Sequence, residues 1–113
     1  MKIAISSKTQ NIDDQIDETF GRCPYFIISE IEDNKIKATE AIKNESIDQT
    51  SGAGISSAQL VADKKVEAVI TGNVGPRALD VLNQFKIKIY VSKGSIKEAI
   101  QNFIDNKLEE IKK

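Results

Sequence analysis

The 113-residue chain has no histidine and a single cysteine, and these two shortages exclude a good deal of chemistry. Without imidazole, neither a Ser-His-Asp nor a Cys-His nucleophile can be assembled, and a histidine-ligated zinc site is out of reach. One thiol cannot build an intrachain disulfide framework, which fits a reducing cytoplasm. Nor can it hold a four-thiolate iron–sulfur cluster within one chain. A soft-metal site here must be open, shared between chains, or completed by the ligand's own groups. Charge of one sign is also missing: 16 Lys and Arg stand against 17 Asp and Glu, a net charge of −1. That leaves no basic excess to attract nucleic acid or an anionic membrane. No apolar run reaches the length of a membrane span. The start, Met1-Lys2-Ile3-Ala4-Ile5, enters an alternating strand pattern rather than a signal peptide.

What is present suits one soluble domain, with 40% hydrophobic and 29% charged residues. Lys2–Ser6 alternates as a short strand, and the polar stretch Ser7–Thr19 reads as a long exposed loop. Tyr25–Ser29 reads as a buried strand that turns at Glu32-Asp33-Asn34 into Lys35–Ile42, a hairpin. Asn44–Ser51 is a second polar loop. Ile55, Ala58, Val61 and Ala62 then follow helical spacing, with Ser51 as the expected N-cap, and Glu67–Thr71 is a strand. Val74, Ala78, Val81, Leu82 and Phe85 form a helical stripe with Pro76 in its first turn. Ile87–Val91 is another strand. Ser95-Ile96-Lys97-Glu98 is a capping box opening a last helix with the face Ile96, Ala99, Ile100, Phe103 and Ile104. The expected domain is residues 1–106, followed by a charged C-terminal tail over 107–113 that frays into solvent.

The order β-β-β-α-β-α-β-α, with right-handed crossovers, gives a five-stranded mixed α/β sheet of order 3-2-1-4-5 with helices on both faces. This resembles the ribonuclease H-like arrangement. It brings the loop after the first strand, the start of the Gly52 helix and the loop after the fourth strand to one sheet end. Open α/β sheets bind ligands at such a switch point. Three glycine-bearing segments converge there: Phe20-Gly21-Arg22-Cys23-Pro24-Tyr25-Phe26, Ser51-Gly52-Ala53-Gly54 and Thr71-Gly72-Asn73-Val74-Gly75-Pro76-Arg77. Glycine lets backbone approach a ligand closely, and a helix start offers free N–H groups to an anion.

Each segment also has a purely structural reading. The third lacks the spacing and the lysine of a phosphate loop, and Asn73 can simply cap a helix. Arg22 and Arg77, the two arginines of the chain, flank the glycines and suit a carboxylate, phosphate or anionic cluster, or else an ordinary surface ion pair. Cys23 has three readings: a small buried hydrophobe, a single-point anchor for iron or another soft metal, or a nucleophile lacking any general base. Two-metal nuclease chemistry is disfavoured, since the strand ends near the sheet centre carry no carboxylate cluster.

The Phe20–Arg22 segment with Tyr25-Phe26, the Gly52-Ala53-Gly54 helix start and Thr71–Pro76 together resemble the dinitrogenase iron–molybdenum cofactor biosynthesis family, over almost the whole chain. The resemblance implies the ribonuclease H-like fold. It also implies kinship with accessory proteins that bind and carry the iron–molybdenum cofactor or its iron–sulfur precursor, here as a small stand-alone member. Some carriers of that family use a histidine for the cluster; this sequence has none, which leaves Cys23 as its one soft ligand. The resulting expectation is a cytoplasmic, non-catalytic carrier of an iron–sulfur or iron–molybdenum cluster, a monomer or weak dimer. Its partners would be cluster donor and acceptor proteins, with no nucleic acid and no membrane. Arg22, Gly52, Gly54, Gly72, Asn73, Gly75 and Arg77 would contact the cluster, and Cys23 would ligate metal. The alternatives are a regulatory module binding a phosphorylated or carboxylated metabolite with no metal, and an interaction domain that orders Ser7–Thr19 against a partner.

Overall fold

A computed structural model describes residues 1–47 and 52–111 of the chain. Its elements are β1 (Lys2–Ser7), β2 (Tyr25–Glu32), β3 (Lys35–Lys43), α1 (Ala53–Asp63), β4 (Ala68–Thr71), α2 (Pro76–Gln84), β5 (Lys88–Val91), α3 (Ile96–Ile104) and β6 (Glu109–Ile111). They form one mixed sheet of order β3-β2-β1-β4-β5-β6. β1 is antiparallel to β2 and parallel to β4, so the sheet changes sense at its centre.

Strand alternation divides the core in two. Ala4, Phe26, Ile28, Val69 and Ile89 face the side covered by α1 and α2, where they meet Ala58, Val61, Ala78 and Leu82. Ile3, Ile5, Ile27, Ala68 and Ile70 face the other side, where α3 contributes Ile96, Ala99 and Ile100. The hairpin between β2 and β3 turns through Asp33 and Asn34, both at positive φ (54° and 62°), the geometry that matches strand twist. Ser95 accepts a hydrogen bond from the Glu98 N–H at 3.3 Å, so the capping box starts α3 as the sequence implies. Among the described residues, no helix is long and apolar enough to cross a membrane.

Four expectations need correction. The sheet has six strands rather than five, because Glu109–Ile111 of the supposed frayed tail pairs with β5, setting Ile111 opposite Ile89. The segment after β1 is a loop but is not exposed throughout: Ile16 is 4% exposed, and isolated bridges tie Ser7 to Ile16, Gln15 to Ser95 and Thr19 to Asn73. Asn73 does not cap α2, whose N-cap is Gly75. Phe85 ends the α2 stripe in solvent, 54% exposed. The expected cap Ser51 lies outside the described residues.

Candidate functional site

The β1–β4 switch point is filled by the chain itself. The Ser6 hydroxyl donates to the Asp17 carbonyl at 2.7 Å and shares a 2.8 Å hydrogen bond with the Thr71 hydroxyl. The Phe20 N–H donates to the Asn73 carbonyl at 3.1 Å. A Cβ on Gly72 would lie 2.8 Å from Glu18 Cα, so this glycine exists to let the β1 exit loop lie on the β4 turn. Gly72 and Asn73 therefore belong to the plug over the switch point.

The open space lies beside the plug, on the face of α1 and α2. A cleft of about 330 Å³ is lined by Gly21, Gly52, Gly54, Ile55, Gly75, Pro76, Arg77 and Ala78. That volume is in the range of small-ligand sites. Both helices begin at its wall. Ser56 is the first α1 residue to close a helical bond, to Gly52 O, and Leu79 the first in α2, to Gly75 O, each at 3.0 Å. The N–H groups of Ala53, Gly54 and Ile55, and of Arg77 and Ala78, precede those bonds and have no intrahelical acceptor. Neither N-cap supplies a side-chain hydrogen bond. Two positive helix ends thus border one space, with the Arg77 side chain exposed beside it.

The glycines around the cleft serve different ends. Gly52 has φ 77°, a left-handed conformation that lets the chain enter α1. A Cβ on Gly21 would sit 2.9 Å from Gly54 N and Cα, and one on Gly54 would sit 3.1 Å from Ala78 Cβ, so close packing sets these two. Gly75 has an ordinary φ of −71°, and a Cβ there would meet nothing within 4 Å. Neither backbone conformation nor packing calls for glycine at 75.

Of the residues singled out in the sequence, Gly52, Gly54, Gly75 and Arg77 come together at the cleft. Arg22 follows the lining residue Gly21, and its guanidinium donates to the Ile47 carbonyl at 2.8 Å, tying the segment after β3 to the Gly21 loop. Cys23 is fully buried among Phe20, Phe26 and Ala58, and its thiol donates to the Phe20 carbonyl at 3.1 Å. Burial, and then the Asp17 charge, push the thiol up to about 12. In this arrangement the sulfur is a neutral core group that presents no ligand face to the cleft. Among the described residues, no three His, Cys, Asp or Glu side chains stand together as a metal-ligating group.

Sequence reasoning passed over Asn44, which it placed in a polar loop. The side chain is wholly buried. Its amide nitrogen donates to the carbonyls of Gly21 (3.2 Å) and Cys23 (2.8 Å). Its oxygen accepts from Ser46 N–H (3.1 Å) and lies 3.2 Å from the Ser57 hydroxyl. The Asn44-Glu45-Ser46 spacing suits an Asx turn, the one signal that pointed to it.

Fold and cleft together define a class: a small open α/β sheet whose cleft, among the described residues, is bordered by two helix starts and Arg77 rather than by a side-chain metal cage. The chain belongs to the dinitrogenase iron–molybdenum cofactor family, whose model matches residues 1–106. It is 43% identical over 91 residues to an uncharacterized protein of Methanocaldococcus jannaschii, MJ0580, covering 80% of this chain and 77% of that one. A second uncharacterized protein of the same organism, MJ0327, is 30% identical over 112 residues, covering 98% and 94%. Among solved structures, the apo form of the orange protein from Desulfovibrio gigas superimposes with a TM-score of 0.91 at 29% identity, over 97% of this chain and 92% of that one.

Proposed function

We propose that the protein is a non-catalytic carrier of an anionic iron–sulfur or iron–molybdenum type cluster, held in the cleft between the starts of α1 and α2. The observation that carries this reading is the pairing of two uncapped helix N-termini with Arg77 around one glycine-lined space. The family's description supports this choice of cargo class. A bare cation would find repulsion there, whereas a preassembled cluster brings its own sulfide acceptors for N–H groups and negative charge for the guanidinium. Few covalent anchors suit cargo that must later be released to an acceptor protein. The buried thiol of Cys23 plays no part in this hold; it keeps Phe20 in place. Arg22 steadies the wall through Ile47, and Gly72 and Asn73 support it from the plug.

The same donors would also serve a phosphorylated or carboxylated metabolite, and this second reading is separated by chemistry rather than by place. Anaerobic gel filtration of the protein after incubation with an iron–sulfur cluster precursor, with iron and molybdenum assayed in the protein peak, distinguishes the two. The carrier reading expects stoichiometric metal that survives Cys23→Ala. A metal-free peak, with phosphate raising the melting temperature instead, would favour the metabolite module.

A further inference from the structure

The cleft is lined by Gly21, and an anion site needs that stretch of backbone to keep its carbonyl oxygens out of the ligand space. Here the buried polar groups behind the wall become informative. Gly21 O is bound by Asn44 Nδ2 at 3.2 Å, with the Ser57 hydroxyl 3.4 Å away. Cys23 O is bound by the other Nδ2 proton at 2.8 Å. Asn44 and Ser57 are both 0% exposed, so the two carbonyls are turned into the protein. Two carbonyl acceptors on one side fix which end of the amide is NH2, and the oxygen end meets Ser46 N–H and the Ser57 hydroxyl. All four hydrogen-bonding positions of the Asn44 amide are engaged.

We infer that Asn44 is a positioning residue that makes the Gly21 wall of the cleft free of acceptors, and so selects anions over neutral or cationic ligands. Because the peptide is planar and trans, holding the Gly21 carbonyl inward also fixes the orientation of the whole Gly21–Arg22 peptide plane. Ser57 lies on α1, so the same contact locks the loop to the helix whose first N–H groups border the cleft. No aliphatic side chain of similar size could do this, and aspartate would offer two acceptors to two acceptors. The inference rests on the anion-binding reading above for its purpose, but its structural half can be tested without a ligand.

The test compares the full-length protein with Asn44→Ala, Ser57→Ala and, as a control for lost core packing on the far face, Ile100→Ala. Two readouts are taken at a temperature where all are folded. The first is the backbone amide spectrum without ligand. The second is the affinity for tetrathiomolybdate, a simple molybdenum–sulfur dianion, with inorganic phosphate alongside. Asn44→Ala is expected to shift the Gly21 and Arg22 amides and weaken thiomolybdate binding at least 10-fold; Ser57→Ala should do so about 3-fold, and Ile100→Ala less than 2-fold. If Asn44→Ala does not fold, Ser57→Ala decides on the same two readouts. Unchanged affinity in a folded Asn44 or Ser57 variant, or a loss matched by Ile100→Ala, would overturn the inference. Should the wild type bind neither anion, the cargo reading falls. Undisturbed Gly21 and Arg22 amides would then overturn the positioning role, and disturbed ones would uphold the wall-fixing half.

Discussion

The two ends of the sheet each carry a cleft, and the larger one is the worse candidate for an anion. At the end where β1 begins, about 440 Å³ is bordered by Met1, Ile31, Tyr90, Phe103 and Ile104, with Lys86 and Lys88 on the rim. The α3 C-terminus, through Ile104 and Asn106, borders that space, so the negative end of the helix dipole meets it. At the other end about 330 Å³ is bordered by the starts of α1 and α2. Volume ranks these spaces one way and backbone polarity the other. A parallel α/β arrangement gives every helix the same sense, so its two ends differ electrostatically before any side chain is placed.

The largest effects are expected at the glycines. Gly72→Ala should destabilise by about 1–3 kcal/mol, because its Cβ must displace the backbone at Glu18. Gly75→Ala should stay within about 1 kcal/mol of the wild type, since its φ is ordinary and its surroundings open. Gly75→Leu should keep the fold and lower cluster binding about 10-fold or more by occupying the space before α2. Urea unfolding and metal co-elution, measured together, separate the two kinds of glycine. Equal damage to stability at 72 and 75 would erase the distinction.

Charge gives a somewhat smaller effect. Arg77→Ala removes an exposed cation from the α2 start and should cost about 0.5–1 kcal/mol of thiomolybdate binding, the scale of a solvent-screened surface charge. Lys86→Ala with Lys88→Ala removes two cations from the other end and should change that affinity less than 2-fold. Titration calorimetry at fixed salt reads both, and the reverse ranking would move the site to the larger cleft.

The smallest expected effect concerns Cys23 and pH. Its folded pKa, raised to about 12, lies above the thiol's ordinary value of 9.0. Both states keep the thiol protonated below about pH 9, so its contribution is intact there. Above that, the unfolded chain releases the proton first, and stability falls as pH rises toward the folded value. Denaturant unfolding between pH 8 and 11 should show this extra decline in the wild type and its absence in Cys23→Ala. Iodoacetamide should leave the native thiol unmodified at pH 8. Rapid native alkylation would show that the sulfur reaches solvent.

Much of the fold was legible because its signals are local. Alternation in β1 and β2, the Ser95–Glu98 box and the Ala78, Leu82 stripe each follow from spacing along the chain. β6 was not legible, since Glu109-Glu110 is charged and Ile111 finds its place only by pairing opposite Ile89. Ser7–Thr19 read as loop because its polar groups are satisfied by distant partners: Ile16 N–H by Gly94 O, and Asp14 O by Ile96 N–H. At the candidate site, glycine beside a helix start pointed to residues that the fold brings together at one cleft, Gly52, Gly54 and Gly75. It could not separate Gly72, fixed by packing, from Gly75, which faces open space. Nor could a lone Cys23 or a polar Asn44 reveal their burial, which depends on neighbours 21 residues and more apart, as the Asn44–Cys23 contact shows.

The most direct measurement is a backbone-amide map of the protein titrated with tetrathiomolybdate. The largest shifts are expected at Gly54, Ile55, Arg77 and Ala78, with Tyr90, Phe103 and Lys88 unmoved. Shifts concentrated at Tyr90 and Phe103, or none at the helix starts under saturating probe, would contradict this placement of the site.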